Sequence, residues 1–93
     1  MSEPNFSFGV HVETHDQTGE VLAVYFQVRK GKTKSTKEYA SGDLFADYDK
    51  HGTLLGIEML GPCRAAVLDK IATGRSEKRF VRRAVPQGML VTS

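Results

Sequence analysis

The chain is 93 residues long with a formal net charge of +2. That length restricts it to one domain, since domains run about 100–150 residues, and to a small core, since so short a chain buries only about 60–65% of its unfolded surface. With 40% hydrophobic and 26% charged residues, the composition excludes wholesale disorder, and no apolar run approaches the ~18 residues of a transmembrane helix.

The first residues, Met1-Ser2-Glu3-Pro4-Asn5, are acidic and polar, the opposite of the basic start and apolar stretch of a signal peptide. Phe6 to Glu13 alternates, with Phe6, Phe8, Val10 and Val12 on one face and Ser7, Gly9, His11 and Glu13 on the other. A period of two predicts a half-buried strand. Thr14 to Glu20, with Asp16 and Gly19, is turn chemistry. Val21 to Arg29 is rich in β-branched and aromatic residues, and its apolar set Leu22, Val24, Phe26 and Val28 is expected to face the core. Two such strands around a polar turn predict an antiparallel hairpin.

Gly31 to Thr36 reads as a polar loop tip, and Thr36 to Ala40 as a short strand stopped by Ser41-Gly42-Asp43. Asp43 to Asp49 predicts a strand with Leu44, Ala46 and Tyr48 opposite Phe45 and Asp47. Asp49-Lys50-His51-Gly52 is a tight turn whose glycine can take a positive φ. Thr53 to Leu60 returns as a strand, with Leu55, Ile57 and Met59 opposite Leu54, Gly56, Glu58 and Leu60. Gly56 inside it marks a bulge or a close approach of another part of the chain.

Gly61-Pro62 ends the sheet, and Pro suits the first turn of a helix. Val67, Leu68, Ile71 and Ala72 follow at helical spacing and predict a helix over 62–73, closed by Gly74. A second helix is predicted over 76–85, capped by Ser76 and carrying the stripe Phe80, Val81 and Ala84; Phe80/Arg82/Ala84 also fits strand alternation. Pro86-Gln87-Gly88 ends that element, and Met89-Leu90-Val91 reads as a last strand or an apolar tail. The fold class is therefore α+β. A single domain spans 1–93: an antiparallel β-meander of four or five strands over 6–61, then one or two helices in an extension over 62–93.

The small net charge hides an asymmetry. Residues 1–63 carry six Lys/Arg against nine Asp/Glu, whereas residues 64–93 carry seven against two. Arg75, Lys78, Arg79, Arg82 and Arg83 would spread over one exposed face of the second helix. Such a face suits a phosphate backbone or an acidic partner, and equally a solvated surface. Two short helices joined at 72–76 loosely suggest a helix-turn-helix, but no third packed helix is visible. A second group, Lys30, Lys32, Lys34 and Lys37, sits in a Gly/Ser/Thr-rich stretch where lysines usually aid solubility or guard a strand edge.

Asp47-Tyr48-Asp49-Lys50-His51-Gly52-Thr53-Leu54-Leu55-Gly56-Ile57-Glu58-Met59-Leu60 resembles the D-Y-D-x-x-G-x-[LV]-[LV]-G-I-E-[IL]-L hallmark of a group of small bacterial proteins, labelled domain of unknown function twenty-two eighty-three. The upstream strands around 8–12 and 22–28 match as well, so the resemblance covers roughly residues 6–62. It implies a compact β-rich fold with no established activity and no attributed catalytic residues. Some members are proposed antitoxins or partners of small toxin proteins. This chain departs in its basic loop at 30–37 and its basic extension after Pro62. Asp47, Asp49, Gly52, Gly56 and Glu58 are expected to serve structure: Asp49 and Gly52 build the turn, and Glu58 pairs across strands.

Asp47-x-Asp49-x-His51-Gly52-x5-Glu58 nearly matches a calcium-binding EF-hand loop. His51 is a poor ligand for a hard cation, and the flanking pattern has the period of strands rather than of the two helices that motif needs. His11 and His15 stand four apart, a spacing that converges on a helix and not on a strand and its turn. Cys63 lies in no nucleophile elbow and reads as a small buried apolar residue. No phosphate-cradling glycine motif occurs. No catalytic residue, metal site or cofactor is expected, and an enzyme is not.

A single cysteine cannot form an internal disulfide and fits the cytoplasm. The sequence thus predicts a cytoplasmic protein-interaction module with no membrane association, whose partner is a second copy or a small effector protein. The alternative is a nucleic-acid-binding regulator using the basic C-terminal segment.

Overall fold

A computed structural model describes residues 6–86 and 88–91, the last two by backbone alone. The strands form where the chain alternates. β1 (Gly9–Thr14) and β2 (Val21–Gln27) make the first hairpin; β3 (Ser35–Tyr39), β4 (Leu44–Tyr48) and β5 (Leu54–Met59) come next along the chain. All five share one antiparallel sheet in the order β1-β2-β5-β4-β3. The expected antiparallel sheet followed by two helices is thus present, with one departure from a continuous meander. After β2 the chain crosses to the far side, so β5 pairs with β2 and β3 becomes an edge.

That crossing puts the most apolar strand at the centre. Val24 and Phe26 of β2 oppose Met59 and Ile57 of β5, which in turn oppose Leu44 and Ala46 of β4; all six are fully buried. At about 25 cal/mol for each Å² of apolar area removed from water, burial of this layer is a main contribution to folding. The turn between β4 and β5 forms as predicted. Asp49 Oδ1 accepts the backbone N–H of His51 at 2.8 Å and of Thr53 at 2.9 Å, and Gly52 takes φ +80°. The turn between β3 and β4 is left-handed throughout: Ala40 and Ser41 have φ of 52° and 56°, and Gly42 has 94°.

Two short helices cover one face. The first begins later than the periodicity predicts, because Cys63–Arg64 is taken up as a two-residue strand, β6, paired in parallel with β7 (Leu90–Val91). α1 is therefore Ala65–Ile71 and α2 is Arg75–Ala84. Gly74 is the N-cap of α2 rather than the stop of α1, and Ser76 lies inside the first turn instead of capping it. The alternative reading of 80–84 as a strand is excluded. Of the predicted break at Pro86-Gln87-Gly88, Gln87 lies outside the described residues; the Met89 N–H donates to the Pro86 carbonyl at 3.1 Å across it. Leu68 and Ile71 of α1 and Val81 of α2 insert into the core.

The helices cover the sheet unevenly. Val24, Phe26 and Val28 are fully buried, as their alternation requires, but the β1–β2 register shifts at Leu22, which has no partner on β1 and is 44% exposed. On β1, Val10 and Val12 oppose Phe26 and Val24 and so share the helix-side face, yet they are 41% and 50% exposed. Alternation identified the face correctly. Whether anything covers that face depends on where the helices lie.

Candidate functional site

The hallmark residues meet on the open face of the sheet and at its β4–β5 turn. Asp47 Oδ2 accepts the Tyr25 hydroxyl at 3.2 Å, and Oδ1 accepts the Thr36 hydroxyl at 2.6 Å. Tyr25 reaches Asp47 by crossing β5 over Gly56, where any Cβ would collide with the phenol ring and its hydroxyl. This is the close approach that the mid-strand glycine predicts, made by a side chain. Burial, followed by the charge of Asp47, pushes the Tyr25 hydroxyl up to about 12. Glu58 is exposed opposite Tyr25 on one side and Phe45 on the other. Asp49 is held below the usual carboxylate range by the N–H of Thr53 and then of His51. Its carboxylate thus caps the turn. Strands, not helices, flank the EF-hand-like loop. Among the described residues no three His, Cys, Asp or Glu side chains gather as a metal site would require.

The basic residues of α2 do not act as one set. Arg82 makes a bidentate pair with Asp69 of α1, at 2.9 and 3.3 Å, so it ties the two helices together. The pair holds Asp69 below its ordinary range and pushes Arg82 up. Lys78 is half-buried, whereas Arg75, Arg79 and Arg83 are exposed. Arg79 and Arg83 flank an open groove of ≈ 440 Å³ whose floor is Phe8 and Phe80. Phe8 stacks on Phe80 at 4.5 Å and on Phe6 at 4.7 Å, and Phe80 meets core Phe26 edge-on at 6.4 Å. This aromatic file clips the start of β1 to α2.

Sequence reasoning does not single out Arg29 or Glu77. Arg29, just past β2, reaches Glu77 in the first turn of α2 at 3.0 Å, donates to the Leu54 carbonyl at 2.8 Å and lies over the Phe6 ring at 4.8 Å. Both side chains are nearly buried, at 16% and 11% exposed. Glu77 also sits where the positive end of the α2 dipole favours a carboxylate. The only clue is an acidic residue at the third position of a basic helix, with one arginine ending the most apolar strand. Cys63 is buried in β6, and burial with the charge of Asp43 pushes its thiol up. That suits a packing residue and not a thiolate nucleophile.

Two further surfaces are built at the edges of the sheet. β1 exposes Val10 and Val12, with half-exposed Phe8 just before it and exposed Leu22 on the neighbouring β2, and among the described residues its outer edge has no neighbour in the sheet. On β3 the helix-side positions are Ser35, Lys37 and Tyr39. There Lys37 lies over the Tyr39 ring at 5.1 Å, and the Tyr39 and Tyr48 hydroxyls share a hydrogen bond of 3.1 Å. Lys32, Lys34 and Lys50 line an open depression beside the β4–β5 turn.

The family described as protein of unknown function (DUF2283) matches residues 14–61, just over half of the chain. The chain belongs to the DUF2283 family. The matched span holds β2 to β5, so the DUF2283 part is the four-stranded centre and far edge of the sheet. β1 and both helices lie almost wholly outside it. No curated protein and no solved structure matches the chain. No helix among the described residues is long and apolar enough to cross a membrane.

Proposed function

We propose that this DUF2283 protein is a non-catalytic protein-interaction module that docks partners along β1. The observation carrying this reading is the coincidence of a strand edge left open among the described residues with exposed Val10 and Val12 on one face of that strand and exposed Phe8 and Leu22 close by. Apolar groups gathered beside open backbone donors and acceptors are the ingredients of strand addition. The backbone ladder supplies affinity and the alternate side chains supply specificity. Asp47, Asp49, Gly52, Gly56 and Glu58 then serve the sheet that presents β1, and the cytosol, where Cys63 stays reduced, is the compartment. Antitoxin-like pairing with a small protein is one form of such a module.

A nucleic-acid role is the second reading, favoured by Arg79 and Arg83 flanking the Phe8–Phe80 groove. Phosphate contacts fall steeply with salt, whereas an apolar strand interface does not. The test is co-purification of tagged protein from lysate split into nuclease-treated and untreated halves, each at low and at high salt. A stoichiometric protein partner that Val10→Lys releases and Arg79→Ala/Arg83→Ala retains supports strand docking. A nuclease-sensitive complex lost only with the arginine pair overturns it in favour of nucleic acid.

A further inference from the structure

We infer that the partner which fits the β1 edge is a second copy of this chain, paired antiparallel about a two-fold axis through Val12. The inference rests on the reading of β1 as the docking edge and adds occupant and register to it. A two-fold axis normal to the sheet keeps like faces together, so Val10 and Val12 of each copy must share the helix side and His11 and Glu13 the open side. Only registers centred on a residue of β1 satisfy this.

Centring on Glu13 sets carboxylate against carboxylate, and centring on Gly9 or Thr14 runs half of the pairing off the end of the strand, which leaves three registers. Centring on His11 sets imidazole against imidazole and leaves Glu13 opposite Gly9. Centring on Val10 sets Phe8 opposite Val12 and leaves Glu13 opposite Ser7. Centring on Val12 sets Val12 against its mate and His11 opposite Glu13 twice, once on each side of the axis. Directly opposed side chains stand about 4.5–5.5 Å apart at Cβ, within reach of an imidazole–carboxylate hydrogen bond. The charge pattern of β1 is therefore complementary to itself in one register. In that register the four valines, 41% and 50% exposed at positions 10 and 12 in the single chain, form one apolar strip on the helix side. Two five-stranded sheets become one continuous sheet, and the β1 edge is removed from solvent.

β3 does not offer this. Its helix-side face is closed by Lys37 over Tyr39, and its exposed residues are polar or charged. The same contrast explains why β1 tolerates a strand without Lys or Pro, the residues that ordinarily guard an edge.

Sedimentation velocity over a concentration series tests the inference on the full chain. Wild type is expected to dimerise. Val12→Asp, at a position 50% exposed in the single chain, is expected to be a folded monomer by circular dichroism. His11→Glu places glutamate against glutamate twice and should weaken the dimer about tenfold. The exchanged pair, His11→Glu with Glu13→His, should restore it. A swap that fails to restore a dimer weakened by His11→Glu overturns the register. A wild-type monomer overturns the second copy as occupant; if Val12→Asp then still releases a protein partner from lysate, β1 stands as the docking edge. A dimer indifferent to Val12→Asp overturns both the occupant and the edge.

Discussion

β1 and β3 each pair with one neighbour, yet β1 exposes Val10 and Val12 on the helix side while β3 places Ser35, Lys37 and Tyr39 there. On β3 a lysine arches over a tyrosine ring and a pair of tyrosine hydroxyls finishes the apolar layer. On β1 the apolar layer runs on past the helices and stops at solvent. The difference lies in the reach of the two helices. They are anchored by Phe80 on Phe8 and Phe26 and by Glu77 on Arg29, contacts that hold them over the start of β1 and leave its outer half bare. A strand edge is closed either by its own side chains or by whatever docks on it. This sheet has one edge of each kind.

The largest effect is expected where the β1 side is tied to the helices. Arg29→Ala leaves Glu77 nearly buried without its partner and should cost about 3 kcal/mol in urea unfolding. A loss below ~1 kcal/mol would show that the aromatic file alone holds α2. Gly56→Ala comes next, at about 2 kcal/mol, because the methyl forces Tyr25 off Asp47. It also carries a pH signature. In the fold the Tyr25 hydroxyl titrates near 12 instead of its usual 10, so the neutral phenol is favoured. The associated stability is fully present below pH 10 and is lost as pH rises through 12. Gly56→Ala should lose that alkaline dependence at Tyr25. An absorbance titration reads this as the loss of one of two high-pH steps, the other being Tyr48, which burial also pushes up to about 12.

Thr36→Val acts on the β3 side, removing the donor at 2.6 Å from Asp47 while Tyr25 keeps its own. A loss of about 1 kcal/mol is expected. The smallest stability change tests the comparison itself: Lys37→Val should stay within about 0.5 kcal/mol of wild type, as surface changes do. It should nevertheless raise self-association, because it gives the far edge the surface of β1. Concentration-dependent sedimentation unchanged by Lys37→Val would mean that backbone geometry, not side chains, closes that edge.

Much of this architecture is legible in the residues. Alternation places the five strands to within a few residues, and the turn at Asp49–Gly52 forms as its chemistry requires. What alternation does not convey is strand order, because pairing β2 with β5 across an intervening hairpin is decided by which strands are most apolar on both neighbours. Helix spacing places α1 and α2, but β6 shortens α1, a tertiary pairing with β7 that no local pattern announces. The basic residues of α2 are visible as a charge excess, yet only the structure separates Arg82, spent on Asp69, from Arg79 and Arg83. Arg29 and Glu77 lie 48 residues apart in sequence, and no local signal joins them.

The parallel bridge of β6 and β7 has a consequence for how the molecule opens. Cys63 opposite Leu90 and Arg64 opposite Val91, with the Cys63 N–H on the Met89 carbonyl at 3.1 Å, clasp the two ends of the helical stretch together. Both helices thus lie in a loop whose mouth is held shut by a few backbone bonds, against a closure entropy that grows only slowly with loop length. Unzipping those bonds, together with withdrawal of Leu68, Ile71, Val81 and Phe80 from the core, frees α1 and α2 as one cooperative unit while the sheet ladder stays intact. Native-state hydrogen exchange should then give the amides of both helices a common opening free energy, below that of β2, β4 and β5.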